Sequence, residues 1–187
     1  NNGSNSFGTG TNRIRVYEGR FVAGHADAAG TTDNAIRVYD GGTFAVGSGV
    51  IFTRAVTFDA GSGLGGTGEF QPGGSWAVPD DFVVSPGLSA GTLTVNVGTG
   101  NTLTLDDTGV LDIELASDSV YDVLAVNGNL QLDGILQISL LGGYSPSYGQ
   151  TFNIVTVTDG TLTGLGLALD AAQLGSYSFQ LNGNTLQ

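Results

Sequence analysis

The sequence contains no cysteine, no methionine and no lysine, and its only basic residues besides one histidine are five arginines. Without cysteine, the chain can hold neither a disulfide framework nor a thiolate metal site. No apolar run approaches the roughly 18 residues that a membrane-spanning helix needs. The absence of methionine, the initiator included, indicates export followed by removal of a signal peptide. We therefore expect an extracellular or cell-surface protein without membrane insertion.

Charge is divided unevenly along the chain. Residues 1–54 carry all five arginines and four of the 17 acids, whereas residues 55–187 carry the other 13 acids and no arginine. Binding to phosphate backbones requires clustered basic residues, so this distribution argues against a nucleic-acid partner. An arginine-bearing end and an acidic end complement each other, which favours head-to-tail contact between copies.

An internal repeat lies near the N-terminus. The segment Asn12–Gly19 (NRIRVYEG) recurs as Asn34–Gly41 (NAIRVYDG), which gives a repeat length of roughly 22 residues. Strand-like alternation between Gly-rich turns continues to the end of the chain, with 32 glycines and only four prolines in total. A repeat of this length, rich in short strands and turns, is typical of one coil of a parallel β-helix.

Alternation within the repeat assigns its side chains to two faces. Ile14 and Val16 are predicted to point inward and to stack on Ile36 and Val38. The outward side chains form the predicted subunit interface, which consists of Arg13, Arg15, Tyr17, Arg37 and Tyr39.

The predicted fold is all-β, a parallel β-helix (β-solenoid) built from coils of roughly 22 residues. Residues 12–187 are expected to form a single solenoid domain. Residues 1–11 are expected to be a flexible leader, or one that donates a strand to a neighbouring subunit. A β-sandwich is the alternative fold, because alternating strands and turns fit it too.

Several Gly-spaced strand segments carry a resemblance to a known family. They are Gly63–Gly68, Ser85–Val95, Tyr121–Gly128, Leu132–Leu136 and Gly143–Val155. Together they resemble the C-terminal part of autotransporter-type passengers and of related exported bacterial surface proteins that carry sorting tails. The resemblance implies a β-helix and export, and it implies no particular activity.

Candidate chemistry is sparse. His25 is the only histidine and has no cysteine or second histidine to join it, so we predict no catalytic residue, no cofactor and no enzyme activity. Asp112, Glu114 and Asp118 are a weak calcium candidate, because hard cations bind several carboxylate oxygens. Their spacing matches no calcium-binding loop, which favours a solvated outer face.

The predicted function is that of a structural subunit in a self-assembling surface layer or filament, stacked head to tail on copies of itself. The chain has no obvious polar cap at Asn12 or at Leu181–Gln187, and open sheet ends seek strand partners. The alternative is an adhesin-like module that binds glycans or proteins through exposed tyrosines. A polysaccharide-active enzyme is the third hypothesis, which the sequence disfavours because such a site needs paired carboxylates.

Overall fold

The computed structural model describes residues 13–30, 34–164, 166–169 and 177–187, and these residues form an all-β fold without a helix. None of their elements is a helix long and apolar enough to cross a membrane. The predicted leader, residues 1–11, lies outside the described residues.

The described residues form 21 short strands. In chain order they are β1 (Arg13–Val16), β2 (Gly19–Ala23), β3 (Ala35–Val38), β4 (Gly42–Val46), β5 (Ile51–Phe52), β6 (Val56–Phe58), β7 (Gly63–Gly66), β8 (Glu69–Phe70), β9 (Trp76–Ala77), β10 (Val83–Pro86), β11 (Thr92–Asn96), β12 (Thr102–Leu105), β13 (Val110–Leu115), β14 (Val123–Asn127), β15 (Asn129–Leu132), β16 (Ile135–Leu140), β17 (Val155–Thr158), β18 (Leu162–Gly164), β19 (Ala168–Leu169), β20 (Leu181–Asn182) and β21 (Thr185–Leu186).

The strands pair into four sheets. Sheet A has the order β1-β3-β6, sheet B β2-β4-β7-β10-β13-β16-β19, sheet C β5-β8-β11-β14-β17-β21-β20, and sheet D β9-β12-β15-β18. From β4 onward the chain visits the sheets in the order B, C, A and later in the order B, C, D, so sheet D takes the place of sheet A from β9 on. All strand pairs among the described residues are parallel except those of β21. Parallel pairing differs from that of the antiparallel β-sandwich proposed as the alternative.

Register partners are not evenly spaced along the chain. Arg13 pairs with Ala35, as the repeat of roughly 22 residues predicts. Ile135 pairs with Ala168, and these two residues are farther apart in sequence. The predicted spacing therefore holds near the N-terminus and lengthens towards the C-terminus. The added residues lie in connections such as 141–154, where extra length disturbs no strand pairing.

The core follows the alternation of the strands. In β13 the side chains of Leu111, Ile113 and Leu115 are buried while their neighbours face outward. The predicted inward stack is confirmed near the N-terminus, where Ile14 lies in register with Ile36, and Val16 and Val38 are buried. The N-terminal half of the core is aromatic: Phe44, Phe52, Phe58, Phe70, Trp76 and Phe82 form one network of ring contacts.

An antiparallel hairpin ends sheet C. Strand β21 pairs with both β20 and β17, and the backbone nitrogen of Ile154 donates to the carbonyl oxygen of Leu186 over 3.0 Å. The turn between β20 and β21 contains Gly183 in the left-handed region at φ 61°. Strand β21 thus interrupts the run of parallel pairs in sheet C, and β20, the outermost strand, again runs in the direction of β17. The absence of an obvious polar cap at Leu181–Gln187 stays a prediction.

Gly68 occupies one of the tightest positions of the fold. A Cβ placed on it would press against the carbonyl oxygens of Gly47 and Val50. The Val50 oxygen is fixed, since it accepts a hydrogen bond from the Glu69 nitrogen over 2.8 Å. Glycine is therefore required here for close approach between chain passes.

We expect Gly68→Ala to lower the free energy of unfolding by about 1–3 kcal/mol, because the added methyl group forces backbone apart. Gly24→Ala is the matched control, since a Cβ there meets no atom within 4 Å. Its effect should stay within about 0.5 kcal/mol. Urea unfolding followed by tryptophan fluorescence measures both variants, and equal midpoints would contradict this account of Gly68.

Candidate functional site

An outward surface on sheet A brings together four of the five predicted interface residues. We call it the arginine–tyrosine surface, and it consists of Arg15, Tyr17, Arg37, Tyr39 and Asp59. The register of β1 and β3 places Arg15 beside Arg37. The rings of Tyr17 and Tyr39 stack with centroids 4.4 Å apart and planes 14° from parallel. The fifth residue, Arg13, begins β1, and its side chain lies outside the described residues.

Arg37 is engaged within the chain. Its Nε donates to Asp59 Oδ1 over 3.0 Å, and its Nη2 lies 2.9 Å from the same oxygen. Its guanidinium carbon also lies 5.0 Å from the centroid of the Tyr39 ring. The hydrogen bond to Asp59 and the charge of that carboxylate raise the pKa of Arg37. The guanidinium of Arg37 is therefore already paired with a carboxylate of its own chain, and its predicted place in a subunit interface stays a prediction.

Arg15 and Tyr17 are the more available members of this surface. Arg15 is exposed and makes no ion pair with any described residue. Tyr17 is 55% exposed. One ring face of Tyr17 contacts Tyr39, and β1 is the edge strand of sheet A among the described residues. The arrangement offers a cation and an aromatic ring side by side at the N-terminal end of the sheet.

The three carboxylates of the calcium candidate do not form one group. Asp112 and Glu114 lie on the outer face of β13, and Asp118 lies in the connection that follows it. The Tyr144 hydroxyl donates to Asp118 over 2.6 Å, which lowers the pKa of that carboxyl. In the described part of the chain, no three histidine or acidic residues are placed to hold a metal ion.

Asp122 is a buried carboxyl that the sequence interpretation missed. It is fully buried, and it accepts hydrogen bonds from the Gly91 nitrogen over 2.7 Å and the Glu114 nitrogen over 2.9 Å. The alternation pattern contained the signal, since Asp122 shares the inward parity of Leu124 and Val126. Asp122 thereby ties the connection before β11 to β13.

Burial raises the pKa of Asp122 to about 7, although its two backbone hydrogen bonds act in the opposite direction. The negative charges of Glu114 and Asp112 raise this pKa further. Burial likewise raises the pKa of Asp112, whose Oδ1 is buried without a hydrogen-bond partner. Since Asp112 lies on β13 and Asp122 accepts a hydrogen bond from it, we expect the stability of this part of sheet B to depend on pH.

A cavity of about 770 Å³ lies near the C-terminal end. Inward side chains of β13 and β16, including Ile113 and Leu136, line it together with Phe152 and Phe179. None of the described residues that line the cavity is charged. Such a lining offers apolar contact together with hydrogen bonds from amide and hydroxyl groups.

The raised pKa of Asp122 predicts a pH-dependent stability. Because the folded-state pKa, about 7, exceeds the ordinary value of 3.8, the folded chain holds this proton more tightly than the unfolded chain. Its contribution to stability is complete below pH about 4 and is lost as pH rises towards about 7. The loss is at most about 4 kcal/mol, and screening by nearby solvent makes it smaller.

Asp122→Asn should remove this dependence. The amide NH₂ cannot accept a hydrogen bond, so one backbone N–H loses its partner at a cost of about 1–3 kcal/mol. Wild type should therefore be the more stable protein near pH 4, and the gap should narrow or reverse above pH 7. Denaturant unfolding of both proteins across this range is the measurement, and parallel pH profiles would contradict the assignment.

Comparisons of the chain with protein-family models, with curated proteins and with solved structures found no match.

Proposed function

We propose that this chain is an extracellular structural protein, a β-solenoid subunit that stacks end to end on copies of itself in a surface layer or filament. The observation that carries the proposal is the N-terminal end of the fold. There the edge strands of three parallel sheets, β1, β2 and β5, all lie between Arg13 and Phe52. Unpaired strand edges are templates for pairing with another chain.

The sheet order supports the solenoid assignment. Each sheet gains its parallel strands in chain order, one per circuit of the other sheets, up to the final hairpin. A chain that winds through three faces and stacks each pass on the previous one has this order. Successive passes are then about 4.8 Å apart, and another copy can continue the same ladder.

The two ends of the stack are unequal. At the C-terminal end of the described residues, sheets B and D finish with the parallel strands β19 and β18, whereas the hairpin β20–β21 finishes sheet C. Since sheet D continues the face of sheet A, we propose that β1 and β2 of one copy pair with β18 and β19 of the next. In sheet C the antiparallel strand β21 lies between β17 and the edge strand β20.

Charge supports the same polarity. Arg15 and Arg20 are exposed at the N-terminal end, and neither makes an ion pair with a described residue. Asp159 is exposed directly after β17, near the other end, in the part of the chain without arginine. Opposite charges steer encounter and fix register between copies.

Localisation at the cell surface rests on composition and on the resemblance to exported β-helical proteins. The outer faces carry threonine, asparagine and serine, among them Thr94, Asn96 and Ser85. Together with the negative net charge of −12, these faces keep single subunits soluble until the ends meet.

Glycan binding is the second candidate function, and the stacked Tyr17–Tyr39 pair favours it. The exposed ring of Tyr17, supported by Tyr39, suits the apolar face of a sugar, and Arg15 suits its hydroxyl groups. A polysaccharide-active enzyme has less support, because the described residues contain no grouped acids at the cavity.

Assembly is tested by electron microscopy and sedimentation velocity over a range of protein concentrations. We expect linear particles whose growth weakens with added salt, because screening reduces contacts between exposed charges. Monodisperse monomers at every concentration would contradict the proposed function.

Arg15→Gln should raise the concentration needed for assembly about two- to fivefold, the effect of one exposed charge contact. Arg37→Gln is the matched control on the same face, because Arg37 is already paired with Asp59. Its effect on assembly should be smaller, and equal effects of the two variants would argue against β1 as the contact strand.

Glycan binding predicts saturable signals on a glycan array that Tyr17→Ala abolishes. Tyr148→Ala is the control, since Tyr148 is fully exposed in a separate connection. Absence of binding, or binding that Tyr17→Ala leaves unchanged, would reject this candidate.

A further inference from the structure

We propose that Asn182 is a site of spontaneous deamidation, and that its isoaspartate product releases the hairpin that ends sheet C. The proposal concerns the described hairpin and does not depend on the proposed assembly.

Three Asn-Gly pairs occur in the sequence: Asn2–Gly3, Asn127–Gly128 and Asn182–Gly183. Glycine after asparagine leaves the attacking backbone nitrogen least hindered, because glycine has no Cβ. The first pair lies outside the described residues. The other two lie in different environments, so their deamidation rates can be compared within the same protein.

Asn182–Gly183 is open to the reaction. Both residues are exposed, and Gly183 lies in the turn at φ 61°. Neither the Asn182 side chain nor the Gly183 nitrogen has a hydrogen-bond partner among the described residues. Hydrogen bonds to other described residues therefore hold neither the attacking nitrogen nor the side-chain amide of Asn182 in place.

Asn127–Gly128 is held by the ladder. The Gly128 nitrogen donates to the Thr158 oxygen over 2.9 Å, and Gly128 is buried. Asn127 lies in register between Asn96 and Thr158. Reaction at this pair therefore requires local opening of sheet C first.

The chemistry needs only water. The Gly183 nitrogen loses its proton and attacks Cγ of Asn182, forming a new C–N bond; the bond from Cγ to the side-chain nitrogen breaks, and that nitrogen leaves as ammonia. Water then opens the resulting five-membered imide at either carbonyl carbon. One opening gives aspartate, and the other gives isoaspartate, in which the main chain runs through the former side chain.

Isoaspartate adds one methylene group to the main chain and one negative charge to the turn. The hairpin has two register pairs in its ladder, Leu181 with Leu186 and Asn182 with Thr185. A longer main chain breaks the second pair and shifts the first. The nitrogens of Ile154 and Val157, which donate to Leu186 and Asn184 over 3.0 and 2.9 Å, then lose their acceptors.

The first experiment incubates the purified full chain in mildly alkaline buffer and quantifies aspartate and isoaspartate at each site by peptide mapping. We expect Asn182 to react at least about tenfold faster than Asn127 in the folded protein. Reaction at Asn127 first requires breaking the hydrogen bond of the Gly128 nitrogen, and the free energy of one such bond corresponds to a rate difference of about that size. In denaturant the two rates should converge. Equal rates in the folded protein, or slower reaction at Asn182, would overturn the site.

The second experiment measures amide hydrogen exchange on aged and fresh protein. Aged protein should lose protection at Ile154 and Val157, and Asn182→Gln protein aged in parallel should keep it. Protection that persists in fully converted protein would overturn the release of the hairpin. An equal loss in the aged Asn182→Gln control would do the same.

Discussion

The in-register parallel hydrogen bonding between successive chain passes is the constraint on which the rest of the structure depends. It places each residue directly on its equivalent in the next pass, as Ile14 on Ile36 and Asn96 on Asn127. An inward position is therefore apolar in most passes, because an unpaired polar side chain would lie inside a continuous column. Asp122 is the inward carboxyl that backbone N–H groups satisfy. Corners must also be narrow, which explains a buried glycine such as Gly68 between two fixed carbonyl oxygens.

The same stacking also places equivalent outward side chains of successive passes next to one another. Equivalent tyrosines become a ring stack, Tyr17 on Tyr39, and equivalent arginines become like charges side by side, Arg15 on Arg37. Like charges in adjacent strands repel unless a neighbour neutralises one of them. Asp59 does so for Arg37, whereas Arg15 has no such partner in the described part of the chain. Arg15 on the edge strand β1 can therefore still pair with a carboxylate, whereas Arg37 on β3 is already paired with Asp59.

The sequence allowed the strand register of the first two passes to be predicted, because the repeat at Asn12–Gly19 and Asn34–Gly41 is nearly identical. It did not allow the later spacing to be predicted, since connections of variable length leave no trace in strand alternation. The hairpin at Leu181–Leu186 was missed because its strands have two residues each, too few for alternation to be seen. Asp122 was missed for another reason: its inward parity was visible, but the sequence does not show that Gly91 and Glu114 bring backbone N–H groups to this carboxyl.

Parallel pairing between successive passes sets no limit on the number of passes, because each pass presents the same backbone donors and acceptors to the next. A local change in chain direction is one feature that interrupts the regular parallel pairing. Here β21 runs antiparallel on β17, with Asn184 donating to the Gly160 oxygen to hold the reversed segment. Among the described residues the reversal occurs in sheet C alone, where the outermost strand β20 returns to the direction of β17, while sheets B and D keep parallel pairing up to β19 and β18. The geometry of the last two strands of sheet C therefore depends on the turn at Gly183, which joins β20 to β21.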